Sequence, residues 1–240
     1  MVAGVTGVAN GWVKSMNIKE IRQLSPAELT ALLARIPFFK ELRQRDDQQL
    51  QALLAHSCLV ELDAGETIMR RGQQGTWLYF LIKGRLVVYR DEPDPAGALN
   101  TITPGELFGD LALLCDRERK ATVAAAPDRG ALLFASDFQI FGDLENFTRV
   151  TLPTKLLIDR TVVHSIRWRL EVSRMEQPQH PLVSELLRIP VYAGPRDTAE
   201  ELRALDYQAQ RLALLLERWN QDGGELFMAG SAEQQGNAQA

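Results

Sequence analysis

The chain predicts an α+β protein, mainly β in its middle, with a jelly-roll barrel flanked by helices. Three observations carry this. Between residues 57 and 135, short apolar runs alternate with Gly/Pro turn signals. Upstream, leucines recur at helical spacing behind a good cap. Downstream, two long stretches carry apolar stripes at three-, four- and seven-residue steps.

Taken in order, residues 1–17 are rich in Gly, Ala and Val and read as a flexible arm. They lack the basic start and long apolar run of a signal peptide. Residues 18–56 are predicted as N-terminal helices. Ile18 to Arg35 reads as a helix or helix pair, because Ser25 caps, Pro26 fits the first turn and Glu28 completes a capping box. Leu29, Leu32 and Leu33 then form its stripe. Arg45 to His56 reads as another helix, with Asp46 or Asp47 near its start and Leu50, Leu53 and Leu54 facing a core.

Residues 57–135 predict the jelly-roll. Trp77 to Ile82 is a continuous apolar run and suits a buried strand. Lys83-Gly84 between two apolar runs suggests a tight hairpin. Asp91 to Leu99 is a polar loop, Leu99 to Thr103 a strand, and Pro104-Gly105 a turn. Thr122 to Ala126 and Ala131 to Ala135 are the last strands. Residues 136–175 return to helix. Ser136-Asp137 cap a segment with Phe138, Phe141 and Leu144 on one side. Leu152 to Met175 forms a long helix with Leu156, Val163, Ile166 and Leu170 as its stripe. Residues 176–222 make a helical appendage. A Pro-rich connector holds a short helix at 182–189. Asp197-Thr198 then opens a second long helix that ends near Asn220, with Leu202, Leu205, Leu212, Leu216 and Trp219 in register. That stripe must be buried against the barrel, the first long helix or a partner chain. Gly223-Gly224 predicts its stop, and 223–240 reads as a disordered tail.

The 240 residues suffice for a sizeable core plus an appendage, and 45% apolar with 24% charged residues is ordinary for a soluble globular protein. A net charge of −4 argues against a large nucleic-acid footprint. Cys58 and Cys115 have neither metal nor redox spacing and predict buried free thiols. His56, His164 and His180 lie far apart, so no metal is predicted. Nucleophile-elbow and Walker-type motifs are missing, so no enzyme is predicted. No run approaches 18 apolar residues, which predicts a cytoplasmic protein without a membrane span.

The most informative stretch is Phe108 to Val123, F-G-D-L-A-L-L-C-D-R-E-R-K-A-T-V. A short helix after Gly109 would aim free N–H groups at an anion. Asp110 offers acceptors for sugar hydroxyls, and Arg119 a planar fork of donors for a phosphate. A segment of this kind can hold a sugar phosphate.

This stretch resembles the phosphate-binding cassette of the cyclic-nucleotide-binding domain, which typically reads F-G-E-L-A-L, then a loop, then R-A-A-T-V or E-R-S-A. Glu118-Arg119-Lys120-Ala121 is similar to the second form. Ile36 to Leu42 and Leu62 to Tyr89 extend the resemblance, which covers about residues 34–175. It implies cAMP or cGMP as ligand, with Phe108, Gly109, Asp110, Leu111, Arg119, Lys120 and Ala121 at the sugar phosphate. Base contacts in the family come largely from the long helix, where Thr161, His164 and Ser165 are the polar candidates. Asp110 stands where the family usually has Glu. Lys120 stands where some relatives carry a Thr that favours guanine, which tilts the expectation to cAMP. The resemblance implies a non-enzymatic sensor acting on a protein partner, and it admits a homodimer. A degenerate, nucleotide-free scaffold is the alternative. A DNA-binding regulator would need a helix-turn-helix after the long helix, and that pattern is not found.

Overall fold

The computed structural model describes residues 17–94, 97–115 and 118–236, with Arg22 and 222–236 described by backbone alone. In chain order its strands are β1 (Asn17–Glu20), β2 (Ser57–Leu62), β3 (Thr67–Met69), β4 (Trp77–Lys83), β5 (Leu86–Tyr89), β6 (Ala98–Ile102), β7 (Leu107–Phe108), β8 (Thr122–Ala125) and β9 (Ala131–Asp137). They pair as two antiparallel sheets, β1-β2-β9-β4-β7 and β3-β8-β5-β6. The helices are α1 (Pro26–Leu33), α2 (Pro37–Arg45), α3 (Asp47–Leu54), α4 (Asp110–Leu114), α5 (Leu152–Glu176), α6 (Val183–Arg188) and α7 (Ala199–Gly236). The α+β jelly-roll read from the residues is the fold observed.

The segment after Asn17 is not helical at its start. Ile18 faces Val60, and Lys19 faces Leu59, in an edge pair with β2. Exposure alternates residue by residue along β1, which is the period of a strand. A 3-10 turn at Ile21–Gln23 then leads to α1. There Ser25 and Glu28 form the expected capping box. Asp46 caps α3 by accepting from the Gln49 N–H at 3.0 Å. Ser136 still belongs to β9, and the helix expected behind it is only a 3-10 turn at Phe138–Phe141.

Lys83-Gly84 does not close a hairpin. β4 pairs with β7 and β9, whereas β5 pairs with β6 and β8. The turn instead carries the chain between sheets. Gly84 takes φ +95°, and a Cβ there would lie 2.3 Å from the Gly130 carbonyl oxygen.

The middle strands of the first sheet, β2, β9 and β4, are buried on both faces along most of their length, which explains the unbroken apolar run of β4. Tyr79 and Leu81 point into the barrel with Val60 and Leu133. Leu78, Phe80 and Ile82 point out, into a core shared with the helices. Phe39 of α2 seats there, with ring centroids 5.3 Å from Phe80 and 4.5 Å from Phe134. Cys58 and Cys115 are buried free thiols.

The stripe of α7 finds its partner within the chain, against α5. Leu156, Ile166, Leu170, Leu202 and Leu212 are all fully buried there. α7 does not stop at Gly223-Gly224 but runs to Gly236. Two interior glycines cost only about 1 kcal/mol each, and the helix formers on either side outweigh them. The tail expected at 223–240 is therefore helical in backbone through Gly236. Residues 1–16, which hold the expected arm, and 237–240 lie outside the described residues.

One carboxylate in this helix pair is badly placed for charge. Asp159 of α5 has its Oδ2 buried without a hydrogen-bond partner among the described residues. Burial first, then the nearby Asp206 of α7, push it up to about 7, against the pull of Lys155. Because the folded state holds this proton between pH ~4 and ~7 and the unfolded state does not, stability falls as pH rises through that window. Asp159→Asn is expected to raise the melting temperature at pH 8 and to have little effect at pH 4, as read by thermal denaturation at the two pH values.

Candidate functional site

The cassette is built around Arg119. Its backbone is tied to the 72–74 turn: the Gly72 N–H donates to the Arg119 carbonyl at 2.9 Å, and the Arg119 N–H donates to the Gln73 carbonyl at 2.8 Å. The side chain then runs inward and is 4% exposed. Its guanidinium donates to the carbonyl oxygens of Gly109 at 3.0 Å and Trp77 at 2.9 Å, and lies 5.5 Å from the Tyr79 ring centroid. Two glycines clear its path. A Cβ at Gly75 would fall 2.2 Å from Nε, and one at Gly109 would fall 2.8 Å from a terminal nitrogen. Gly109 also takes φ +85°. Burial pulls the guanidinium below its ordinary pKa, while Tyr79 and Asp110 act the other way. Among the described residues no carboxylate pairs with it.

Asp110 opens α4 and is 1% exposed. Its carboxylate accepts from the Leu111 N–H at 3.1 Å and forms an ion pair with Arg169 of α5. Arg169 was not among the residues singled out in the sequence. Its signal is weak, because it is one of several arginines on a helix whose rotation a sequence does not fix. The pair joins cassette to helix.

Lys120 turns away from Arg119 and pairs with Glu217 of α7 at 3.2 Å. Burial works to lower the Lys120 pKa, but its bond to Glu217 and the Glu217 and Glu118 charges outweigh that and raise it. The backbone N–H groups of Lys120 and Ala121 make no hydrogen bond among the described residues.

These groups surround a cavity of about 250 Å³. The structure brings Phe108, Gly109, Asp110, Leu111, Arg119, Lys120, Ala121 and Ser165 to it. It does not bring Thr161 and His164. They line a second cavity of about 640 Å³, between α2, β7 and α5, beside Phe38 and Leu107. Ser165 lines both cavities, and the first continues from it toward the C-terminal end of α5 through Arg169. Thr161 lies one turn before Ser165, short of that cavity, and spends its hydroxyl on the Leu157 carbonyl at 2.8 Å, while His164 is turned about 100° from Ser165 around the helix. Leu216 and Asn220 of α7 complete the first cavity, and neither was expected there. Among the described residues no group of His, Cys, Asp or Glu is arranged to hold a metal ion, and no helix is long and apolar enough to cross a membrane.

The chain is similar to several known proteins. A cyclic nucleotide-gated potassium channel of Rhizobium etli is 32% identical over 124 residues, covering 51% of this chain and 32% of the channel. A cAMP-dependent protein kinase type II regulatory subunit of Drosophila melanogaster is 29% identical, covering 55% of this chain and 32% of its own length. The chain thus spans about a third of these curated relatives. Among solved structures, the sensor domain of a transcriptional regulator from Pseudomonas aeruginosa is 22% identical with a TM-score of 0.43, covering 68% of this chain and 99% of that one. Residues 59–144, which hold most of the barrel, match the cyclic nucleotide-binding domain family.

Proposed function

We propose that the chain is a non-enzymatic sensor of a cyclic mononucleotide, with cAMP preferred to cGMP, that signals through its C-terminal helices to a protein partner. One observation carries this reading. Arg119 lines the cavity as a buried cation that no carboxylate pairs with among the described residues. A guanidinium stripped of water is incompletely answered by two carbonyl dipoles, and a single phosphate charge completes it. The open N–H groups of Lys120 and Ala121 supply further donors for the same anion.

The response follows from the Asp110–Arg169 pair. Ribose hydroxyls that bond to Asp110 compete with Arg169 and so change the hold of the cassette on α5. The shift between states is as large as the ligand's differential affinity for them. Because α5 and α7 share a core, they move together. Tyr207 and Leu214, exposed seven residues apart on α7, offer a face for the partner.

A second reading has an observation of its own. Asp110 is fully buried and already held by Arg169, as it would be in a scaffold whose barrel binds no nucleotide. Calorimetric titration with cAMP and cGMP separates the two. The sensor reading expects micromolar or tighter binding, weakened by about two to three orders of magnitude in Arg119→Ala. Absence of heat and of any change in melting temperature at millimolar nucleotide would leave the scaffold. Arg119→Lys, which keeps the charge but loses the planar fork, is expected to fold and to bind more weakly than wild type.

The latch makes a separate prediction. Arg169→Ala leaves a buried carboxylate unpaired and is expected to cost about 1–3 kcal/mol in urea unfolding. Adding Asp110→Asn should recover part of that loss, and an additive double variant would show that the pair contributes nothing.

A further inference from the structure

Part of the cavity wall comes from outside the matched domain. α7 lies beyond residues 59–144, yet Leu216 and Asn220, one helical turn apart, line the cavity. That turn is fastened to the barrel at two points. Glu217 pairs with Lys120, and Arg90 donates to the backbone carbonyl of Asn220 at 2.9 Å. Arg90 directly follows β5, so Asn220 stands over the Val88 side of the site. There the wall is mostly apolar, with Val88, Met69, Leu99 and Val123, and Asn100 stands opposite Val88 on β6. With a phosphate at Arg119, this is the end left for a planar base.

The Asn220 carboxamide has no hydrogen-bond partner among the described residues. Asn100, which lines the same cavity, differs: its Oδ1 accepts from the Thr101 N–H at 2.7 Å. Asparagine is a poor residue for a helix interior, so helix stability does not account for position 220. Packing does not either, because the neighbouring Leu216 and Trp219 are buried while Asn220 is only half-buried.

We infer that Asn220 reads the edge of the base and that α7 sets the choice of nucleotide. A carboxamide presents a donor and an acceptor side by side. Adenine answers with its N7 acceptor and N6 amino donor. Guanine presents acceptors at both N7 and O6, so the carboxamide oxygen would face another acceptor. The ligand class is therefore an adenine cyclic nucleotide. This rests on the reading of the cavity as a cyclic-nucleotide site.

The test is calorimetric titration of the full chain with cAMP and with cGMP, comparing wild type with Asn220→Leu and Asn220→Ala. Leucine is close in size and a better helix former, so a folding loss is not expected, and thermal melting checks this. Both variants should lose about tenfold in cAMP affinity, with cGMP affinity kept within about threefold. Unchanged cAMP affinity, or an equal loss for both nucleotides, overturns the role of Asn220 and leaves the cyclic-nucleotide reading standing. Failure of the wild type to bind either nucleotide overturns both.

Discussion

A guanidinium inside a barrel has to be held in place before any ligand arrives, and much of the site is arranged to do so. Arg119 reaches its position because Gly75 and Gly109 have no side chains in its way. It stays there because two backbone carbonyls and the face of Tyr79 receive it. These groups are neutral, so they solvate the cation without cancelling it. A carboxylate in their place would have cancelled the charge and left no reason to admit an anion.

The charges around Arg119 are answered by the helices instead. Asp110 is claimed by Arg169 of α5, and Lys120 by Glu217 of α7. Each pair crosses from the cassette to a different long helix. Both helices are therefore tied to one loop, while the loop's central cation, Arg119, makes no salt bridge among the described residues. The two cavities follow the same division. One lies under the cassette and both helices, and the other between α2 and α5, where Arg160 is engaged by Glu201.

Much of this was legible in the residues. Local chemistry announced itself: the Ser25–Glu28 box, the glycine before Asp110, the inward strands and the leucine stripe of α7. Tertiary choices did not. β1 is four residues long and is a strand only because β2 is beside it. The apolar runs on either side of Gly84 would pair in isolation, and it is closure of two sheets that separates them. The cassette residues of the site were readable because they are contiguous and their spacing is set by one turn. Contributions from α5 and α7 were not, since a periodic stripe tells which residues face a core and leaves open which of the others face a pocket. Ser165 lines both cavities while Thr161 and His164 line only the second, and Arg169 and Asn220 gave no local signal.

The strands buried on both faces have a consequence for how such a protein diversifies. Along most of β2, β4 and β9 neither parity is spare, since one side fills the barrel and the other the helical core. Substitutions there are felt throughout the molecule. The cavity, however, draws its strand residues mostly from the other sheet: Met69 of β3, Val88 of β5, Leu99 of β6 and Val123 of β8. The doubly buried strands and most of the strand residues that line the cavity thus lie in different halves of one barrel. The separation is not complete, because Met69 and Val123 line the cavity and also belong to the core inside the barrel, so a change of wall at those two positions is also a change of core, whereas Leu99 and Val88 carry less of that burden.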